Sequence, residues 1–170
     1  MKNFKTFLIA LSFVFAGAFT AQAQDSKVAH IATQDLIEAM PSYKSAMAQL
    51  EKLSKTYESE MQNLYKEAQS KNERYQSEAN SKTDEENEAR ALELQADQQK
   101  IMQYRQTAQQ ELAKKEEELI KPVLEKARQA IQKVARAKGY SYVLDSTTGT
   151  GVLLADGYNL MNDVKKDLGI

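Results

Sequence analysis

Few residues of the 170-residue sequence are grouped in a way that could support catalysis. There is no cysteine, which rules out disulfides, thiolate metal sites and a lipid-anchor cysteine. The one histidine, His30, lies in a predicted strand, and no G-x-S-x-G sequence supplies a nucleophilic serine to accompany it. No G-x-x-x-x-G-K-S/T loop is present to bind nucleotide phosphates. The sequence therefore disfavours an enzyme or an ATP-driven machine, and it predicts neither a cofactor nor a metal site.

The first 23 residues have the pattern of a cleaved signal peptide. Lys2 and Lys5 precede an apolar run over residues 7–19, and Ala21-Gln22-Ala23 supplies an A-x-A cleavage site. The run is shorter than the roughly 20 apolar residues that a membrane-spanning helix needs. We therefore expect an exported, periplasmic protein whose mature chain begins near Gln24.

Charge argues against nucleic acid as a partner. Without the two lysines of the signal peptide, the chain carries 21 basic and 24 acidic residues, which is a net charge of −3. Such a chain presents no basic field for phosphates. Between residues 43 and 121 both signs are mixed, as in the run Glu116-Glu117-Glu118 beside two lysines, a pattern typical of solvated helix surfaces.

Residues 43–121 contain neither Gly nor Pro and are predicted to form an antiparallel hairpin of two long helices. The sequence Thr83-Asp84-Glu85-Glu86 predicts a capping box, so the turn is expected near residues 80–83 and the second helix should begin at Asp84. Alternating spacings of four and three residues predict an apolar seam on each helix. The first seam comprises Tyr43, Met47, Leu50, Ser54, Tyr57, Met61, Leu64, Ala68, Lys71 and Tyr75, and the second comprises Ala91, Leu94, Gln98, Ile101, Arg105, Ala108, Leu112, Lys115 and Leu119.

Residues 24–42 and 122–170 are predicted to form a small body into which the hairpin is inserted. We expect a strand at Val28–Ala32, a helical turn capped by Asp35, and a kink at Pro122. Strands at 140–145 and 152–155 should form a β-hairpin, followed by a closing helix over 159–168. So small a body is marginal alone, and its strands leave open edges. Self-association is therefore expected.

The order of these elements resembles the Skp (OmpH-like) family of periplasmic chaperones over the whole mature chain. The resemblance is carried by Val28–Ile31, by Asp35-Leu36-Ile37, by the charged hairpin, and by the run from Ala135 through Gly139-Tyr140 to Asp145. The closing segment 162–168 completes it.

The resemblance implies an α+β fold in which a long helical hairpin projects from a β-structured oligomerisation head, assembled as a homotrimer with a cavity between the hairpins. It also implies an ATP-independent holdase, a chaperone that binds unfolded outer-membrane β-barrel proteins, its clients, in that cavity. The residues expected to build the head are Val28, Ile31, Tyr142, Leu144, Val152 and Leu154. The family's best-known member is strongly basic, whereas residues 43–121 carry 13 basic and 16 acidic residues here. Binding to membrane surfaces is therefore not expected.

The hairpin carries tyrosine and methionine side chains that could make weak, adaptable contacts with clients. The candidates are Tyr57, Met61, Leu64, Tyr65, Tyr75, Met102 and Tyr104. Tyr57, Met61 and Leu64 fall on the first seam, where packing between the helices is the competing role. Tyr65 and Tyr104 lie off the counted seams and are the better candidates. The alternative function is that of an envelope coiled-coil scaffold or adaptor that binds one folded partner.

Overall fold

The computed structural model of the protein describes residues 27–170, so the predicted signal peptide, residues 1–23, lies outside the described residues. The elements in chain order are β1 (Val28–Ile31), α1 (Thr33–Ala39), α2 (Pro41–Glu78), a 3-10 turn (Ala79–Ser81), α3 (Asp84–Ala137), β2 (Tyr142–Asp145), β3 (Tyr158–Asn159) and α4 (Met161–Leu168). This order confirms the predicted α+β class with a long helical hairpin inserted into a small body. We call residues 43–121 the arm and residues 27–42 with 122–170 the head.

The arm consists of α2 packed against the first part of α3. Helix α2 has 38 residues, which corresponds to a length of about 57 Å at about 1.5 Å per residue. The capping box is confirmed, because Thr83 Oγ1 accepts from the amide of Glu86 at 3.2 Å and the Glu86 carboxylate accepts from the amide of Thr83 at 3.0 Å. Helix α3 begins at Asp84, as predicted.

Helix α3 runs without a break for 54 residues, from the tip of the arm into the head. Pro122 lies inside it and is exposed to solvent. A proline in a helix leaves the carbonyl four residues earlier, here that of Glu118, without its helical donor. Since Glu118 is also exposed, water can bond that carbonyl, which explains why the helix continues.

The hydrophobic core of the head lies where the second half of α3 meets β1, α1 and α4. Its largest fully buried side chains are Ile31, Leu36, Met40, Leu160 and Val164. Helix α3 contributes Val123, Ala127, Ala130, Val134 and Ala135 to the same cluster. The small alanine side chains let the helix backbone approach its neighbours closely.

The sheet differs from the predicted β-hairpin. Strand β1 is central and pairs in parallel with β2 on one side and with β3 on the other. Residues 152–155, which include the predicted head residues Val152 and Leu154, form no strand. The turn before them uses Gly149 and Gly151 at φ of +92° and +91°, and the chain then crosses to the far side of β1. Both edges of β1 can accept a strand, and the sequence pattern does not say which strand takes which edge.

The sequence also did not determine which side chains of each strand face the core and which face solvent. Ala29 and Ile31 face the core, whereas Val28 is exposed. On β2, Val143 packs against the core, whereas Tyr142 is 61% exposed and Leu144 is also exposed. Val28 is opposite Tyr142 in the register, so these predicted head residues share one open face. Only Ile31 of the six is part of the buried core.

Asp145 joins the sheet to the start of α1. Its carboxylate accepts from the amide of Thr33 at 3.2 Å and from the Thr33 hydroxyl at 2.5 Å. The amide and hydroxyl of Thr147 donate to it at 2.9 and 2.6 Å. Helix α1 was expected to be capped by Asp35, but Asp35 lies within its first turn and the N-cap residue, Ala32, has no side-chain acceptor. Asp145 therefore caps α1 from a distance of 112 residues along the chain.

The same contacts set the ionisation of Asp145. Partial burial raises its pKa, but the hydrogen bonds from Thr147 and Thr33 outweigh burial and lower the pKa from its ordinary value of 3.8 to about 2. A carboxylate whose pKa is lower in the folded chain stabilises the fold above its unfolded pKa. That contribution is lost as the pH falls from 3.8 towards about 2.

We predict that Asp145→Ala lowers the free energy of unfolding of the head by about 1–2 kcal/mol at neutral pH, the usual cost of losing an N-cap. Urea unfolding, followed by tyrosine fluorescence and circular dichroism, measures this loss. The difference between wild type and variant should shrink as the pH falls from 3.8 towards about 2. Asp156→Ala, which removes an exposed carboxylate from the following loop, is the control. Equal destabilisation by both variants would contradict this role of Asp145.

Candidate functional site

The surface of the arm is built on a seam of half-buried side chains between α2 and α3. Every predicted seam residue of α2 is at least half-buried except Met47. On α3 the seam runs through Leu94, Asp97, Ile101, Tyr104 and Ala108. It therefore passes through Asp97 and Tyr104, not through Gln98 and Arg105, which are exposed.

Near the tip, charged side chains hold the two helices together. Lys71 of α2 reaches across to Asp97 at 2.6 Å and Glu93 at 2.8 Å, and the hydrogen bonds to both carboxylates raise the pKa of Lys71 above its ordinary value. Arg90 pairs with Glu78 at 2.6 Å and lies 4.6 Å from the centroid of the Tyr75 ring. Lys71, which interrupts the apolar seam, thus replaces apolar packing with ion pairs.

Tyr104 has a structural role that the sequence analysis did not predict. Its ring makes an edge contact with Tyr57, with ring centroids 6.1 Å apart, and its hydroxyl donates to the carboxylate of Glu60 on the other helix. The bond to Glu60 raises the pKa of Tyr104 to about 12. The assignment of Tyr104 to a position off the seam was therefore wrong, and this ring is half-buried between the helices.

The seven client-binding candidates fall into two groups by exposure. Tyr65 is 52% exposed and Met102 is 56% exposed, and neither lies on the seam. The other five are half-buried between the helices, namely Tyr57, Met61, Leu64, Tyr75 and Tyr104. At the base of the arm the helices leave an open groove of about 760 Å³ lined in part by Tyr43, Met47 and Leu112. Sequence reasoning placed Met47 in the seam, but it is exposed here.

The polar bonds between α2 and α3 lie on one side of the seam. On this side, Tyr104 of α3 bonds Glu60 of α2. Lys71 of α2 bonds Glu93 and Asp97 of α3, and Glu78 of α2 bonds Arg90 of α3. Glu67 and Lys100 border a cleft beside the same seam, which places them on this side as well. We call this side the charged flank.

His30, the one histidine of the chain, makes structural contacts in the head. His30 Nδ1 lies 3.0 Å from Ser146 Oγ, and His30 Nε2 lies 3.2 Å from the carbonyl oxygen of Gly157. His30 therefore ties the loops after β2 and before β3 to the central strand. Within residues 27–170, no group of three or more His, Cys, Asp or Glu side chains could hold a metal ion. No helix in that range is long and apolar enough to cross a membrane.

We predict that Tyr104→Ser destabilises the arm by about 1–2 kcal/mol, because it removes both the contact with Tyr57 and the bond to Glu60. Tyr104→Phe keeps the ring contact and should cost less. Tyr65→Ser, at an exposed position, should leave the midpoint of urea unfolding unchanged. Far-UV circular dichroism during urea unfolding measures all three variants. Equal losses for Tyr104→Ser and Tyr65→Ser would contradict the packing described here.

Comparison with known proteins identifies the family. The sequence profile described as Outer membrane protein (OmpH-like) matches residues 27–168. A crystal structure from Caulobacter crescentus CB15, of a protein described as a candidate outer membrane chaperone (OmpH-like), matches with a TM-score of 0.74 and 19% sequence identity, over 83% of this chain and 82% of that chain. No curated protein sequence matches the chain. The structural match supports the fold, and the profile spans the arm and the head together, so the chain belongs to the OmpH-like outer membrane protein family.

Proposed function

We propose that the protein is an ATP-independent periplasmic holdase that binds unfolded outer-membrane β-barrel proteins between its helical arms and prevents their aggregation. The observation that carries this proposal, in a chain of this family, is that buried apolar packing is extensive in the head and sparse in the arm. The main cluster of buried hydrophobic side chains lies in the head, while the arm is held by a thin seam that includes polar side chains. In the arm only Ala46, Ile101 and Ala108 are buried. An arm of this kind offers a long, weakly apolar surface to another molecule.

Weak contacts suit a chaperone that releases its client without ATP. The exposed large apolar side chains of the arm are few and separate, among them Met47, Tyr65 and Met102. Methionine can repack around different partners, and tyrosine combines an apolar ring with a hydroxyl that is readily hydrated. Residues 24–170 contain no Phe or Trp, so each contact with a client remains small.

The head supports assembly into a homotrimer, the state that the family resemblance implies. Val28, Tyr142 and Leu144 form an open apolar face in the single chain, and Leu153 and Leu154 project from the loop that follows β2. A groove of about 590 Å³ between α3 and the sheet is lined in part by apolar residues, among them Ile131 and Tyr140, and in part by polar ones such as Arg128 and Gln132. Burying these surfaces against other copies of the chain would stabilise a head that is small on its own. Three arms would then surround a cavity.

The proposed function predicts that the mature protein suppresses aggregation when a urea-unfolded outer-membrane β-barrel protein is diluted into buffer without nucleotide. Light scattering follows the aggregation, and we expect suppression to saturate near three chains per client. The same β-barrel protein, refolded in detergent micelles, is the control and should not bind.

Absence of suppression by a protein that is folded and oligomeric would contradict the holdase. Binding of one folded envelope protein with fixed stoichiometry would then favour the scaffold or adaptor function.

A further inference from the structure

The two sides of the arm differ in charge. On the side opposite the charged flank, residues spaced by three or four positions form one uncharged stripe on each helix. The stripe on α2 comprises Gln62, Tyr65, Gln69, Asn72 and Gln76, and the stripe on α3 comprises Ala91, Gln95, Gln98, Met102, Gln106, Gln109 and Ala113. We call the two stripes together the uncharged flank. Arg105 borders it next to the seam, and Glu58 and Glu116 end it towards the head.

The geometry of the seam places both stripes on the same side of the hairpin. Successive residues of an α-helix are turned by about 100°. On α2, Tyr65 and Glu67 lie on opposite sides of the seam residues Leu64 and Ala68, and on α3, Met102 and Lys100 lie on opposite sides of Ile101. Since Glu67 and Lys100 border the same cleft on the charged flank, Tyr65 and Met102 lie together on the other side. Their neighbours at spacings of three and four continue this surface along each helix.

Only one of the two flanks carries the ion pairs that hold the helices of the arm together. Among the described residues, the cross-helix ion pairs between α2 and α3 all lie on the charged flank, where Lys71 and Arg90 are already bonded to carboxylates. The uncharged flank takes no part in those pairs, and eleven of its twelve side chains are exposed, Asn72 being half-buried. On the uncharged flank, Gln69 bonds Glu73 and Gln76 bonds Asn72 within α2. One flank therefore fastens the hairpin, and the other presents polar and apolar groups to solvent without joining the two helices.

We infer that the uncharged flank is the surface on which the arm binds its client, and that the occupant is an extended segment of unfolded polypeptide. This inference rests on the proposed function and names the binding surface for it. The stripe on α3 spans 22 residue steps, or about 33 Å at about 1.5 Å per residue. An extended segment of roughly ten residues has that length, at about 3.3 Å per residue.

The chemistry of this flank matches an unfolded chain. Each residue of such a chain carries a free backbone N–H donor and a free C=O acceptor, whatever its side chain. The carboxamide of Gln or Asn supplies one acceptor and two donors, so a row of them can bond such a backbone without reading its sequence. The lack of charge makes this binding independent of the charge of the client. Tyr65 and Met102 add two adaptable contacts for apolar side chains.

A second copy of the arm is a poorer occupant for this surface. Helix pairing in water needs a continuous apolar seam, whereas the exposed large apolar side chains of the uncharged flank are Tyr65 and Met102. A folded protein would in turn offer few free backbone groups to the carboxamides. An unfolded chain is the partner that can use both the carboxamide groups of the flank and the apolar contacts of Tyr65 and Met102.

The test compares two variants that add the same charge to opposite flanks of α3. Gln98→Glu with Gln109→Glu alters the uncharged flank, and Ala96→Glu with Thr107→Glu alters the other side at the same spacing of eleven residues. All four positions are exposed, so both variants should fold. The affinity for a fluorescently labelled, urea-unfolded outer-membrane β-barrel protein is measured by anisotropy. Far-UV circular dichroism verifies the helix content.

We expect the first variant to bind the unfolded protein about tenfold more weakly than wild type and the second to bind within about twofold of it, a difference of roughly one power of ten in Kd. Equal loss in both variants, or no loss in either, would overturn the assignment of the flank while the holdase function remains. Failure of wild type itself to bind would overturn the proposed function instead.

Because the chain has no cysteine, a single-cysteine version provides a second measurement. A photo-crosslinker attached at Gln98→Cys should capture the unfolded protein several times more efficiently than one attached at Ala96→Cys, because both positions are exposed but only Gln98 lies on the uncharged flank. Equal capture at the two positions would also overturn the assignment.

Discussion

Helix α3 packs against α2 in the arm and against the sheet, α1 and α4 in the head, so the geometry of both parts depends on its continuity. A helix of 54 residues has a length of about 81 Å, and a single rod of that length fixes the direction in which the arm leaves the head. The partners of α3 change along its length. Towards the tip it bonds through Asp97 and Tyr104, whereas beyond Val123 it packs through small apolar side chains. The buried apolar packing of α3 is therefore concentrated at its head end.

The same distribution supports the proposed self-association of the head. The core of the head is well buried, yet the opposite face of the sheet, with Val28, Tyr142 and Leu144, faces solvent. A small domain with an open apolar face would be stabilised by burying that face against another copy of the chain. The proposed function places the reverse requirement on the arm, because an arm that binds and releases another chain needs weak apolar contacts. Polar interruptions such as Lys71 satisfy this requirement, since they fasten the helices without adding apolar surface.

The sequence predicted the features that depend on local pattern, and it missed those that depend on the choice between equivalent partners. The capping box at Thr83 and the start of α3 at Asp84 follow from side chains three residues apart, and both were correct. The predicted strand at 152–155 was wrong, since these residues form no strand and Tyr158–Asn159 pairs with the second edge of β1 instead. That choice depends on where the loop lets the chain return to β1, which a local pattern does not encode. The sequence also could not show which side chains of β2 face the core, because Tyr142, Val143 and Leu144 are all apolar enough to lie on either side of the sheet. On α3, apolar positions are too sparse to determine which face forms the seam. The bond that Tyr104 donates to Glu60 and the bond that Asp97 accepts from Lys71 decide it.

The central claim is that the arm binds unfolded protein while the head maintains the structure, and hydrogen–deuterium exchange measured by mass spectrometry tests it most directly. Without a client, amides of α3 at 123–135 should exchange much more slowly than those at 95–110, because the former lie in the main hydrophobic cluster, whereas only Ile101 and Ala108 are buried among the latter. Addition of an unfolded outer-membrane β-barrel protein should slow exchange in the arm, on both α2 and α3, and leave the head unchanged. Protection confined to the head, or no change anywhere while the client is bound, would contradict this account.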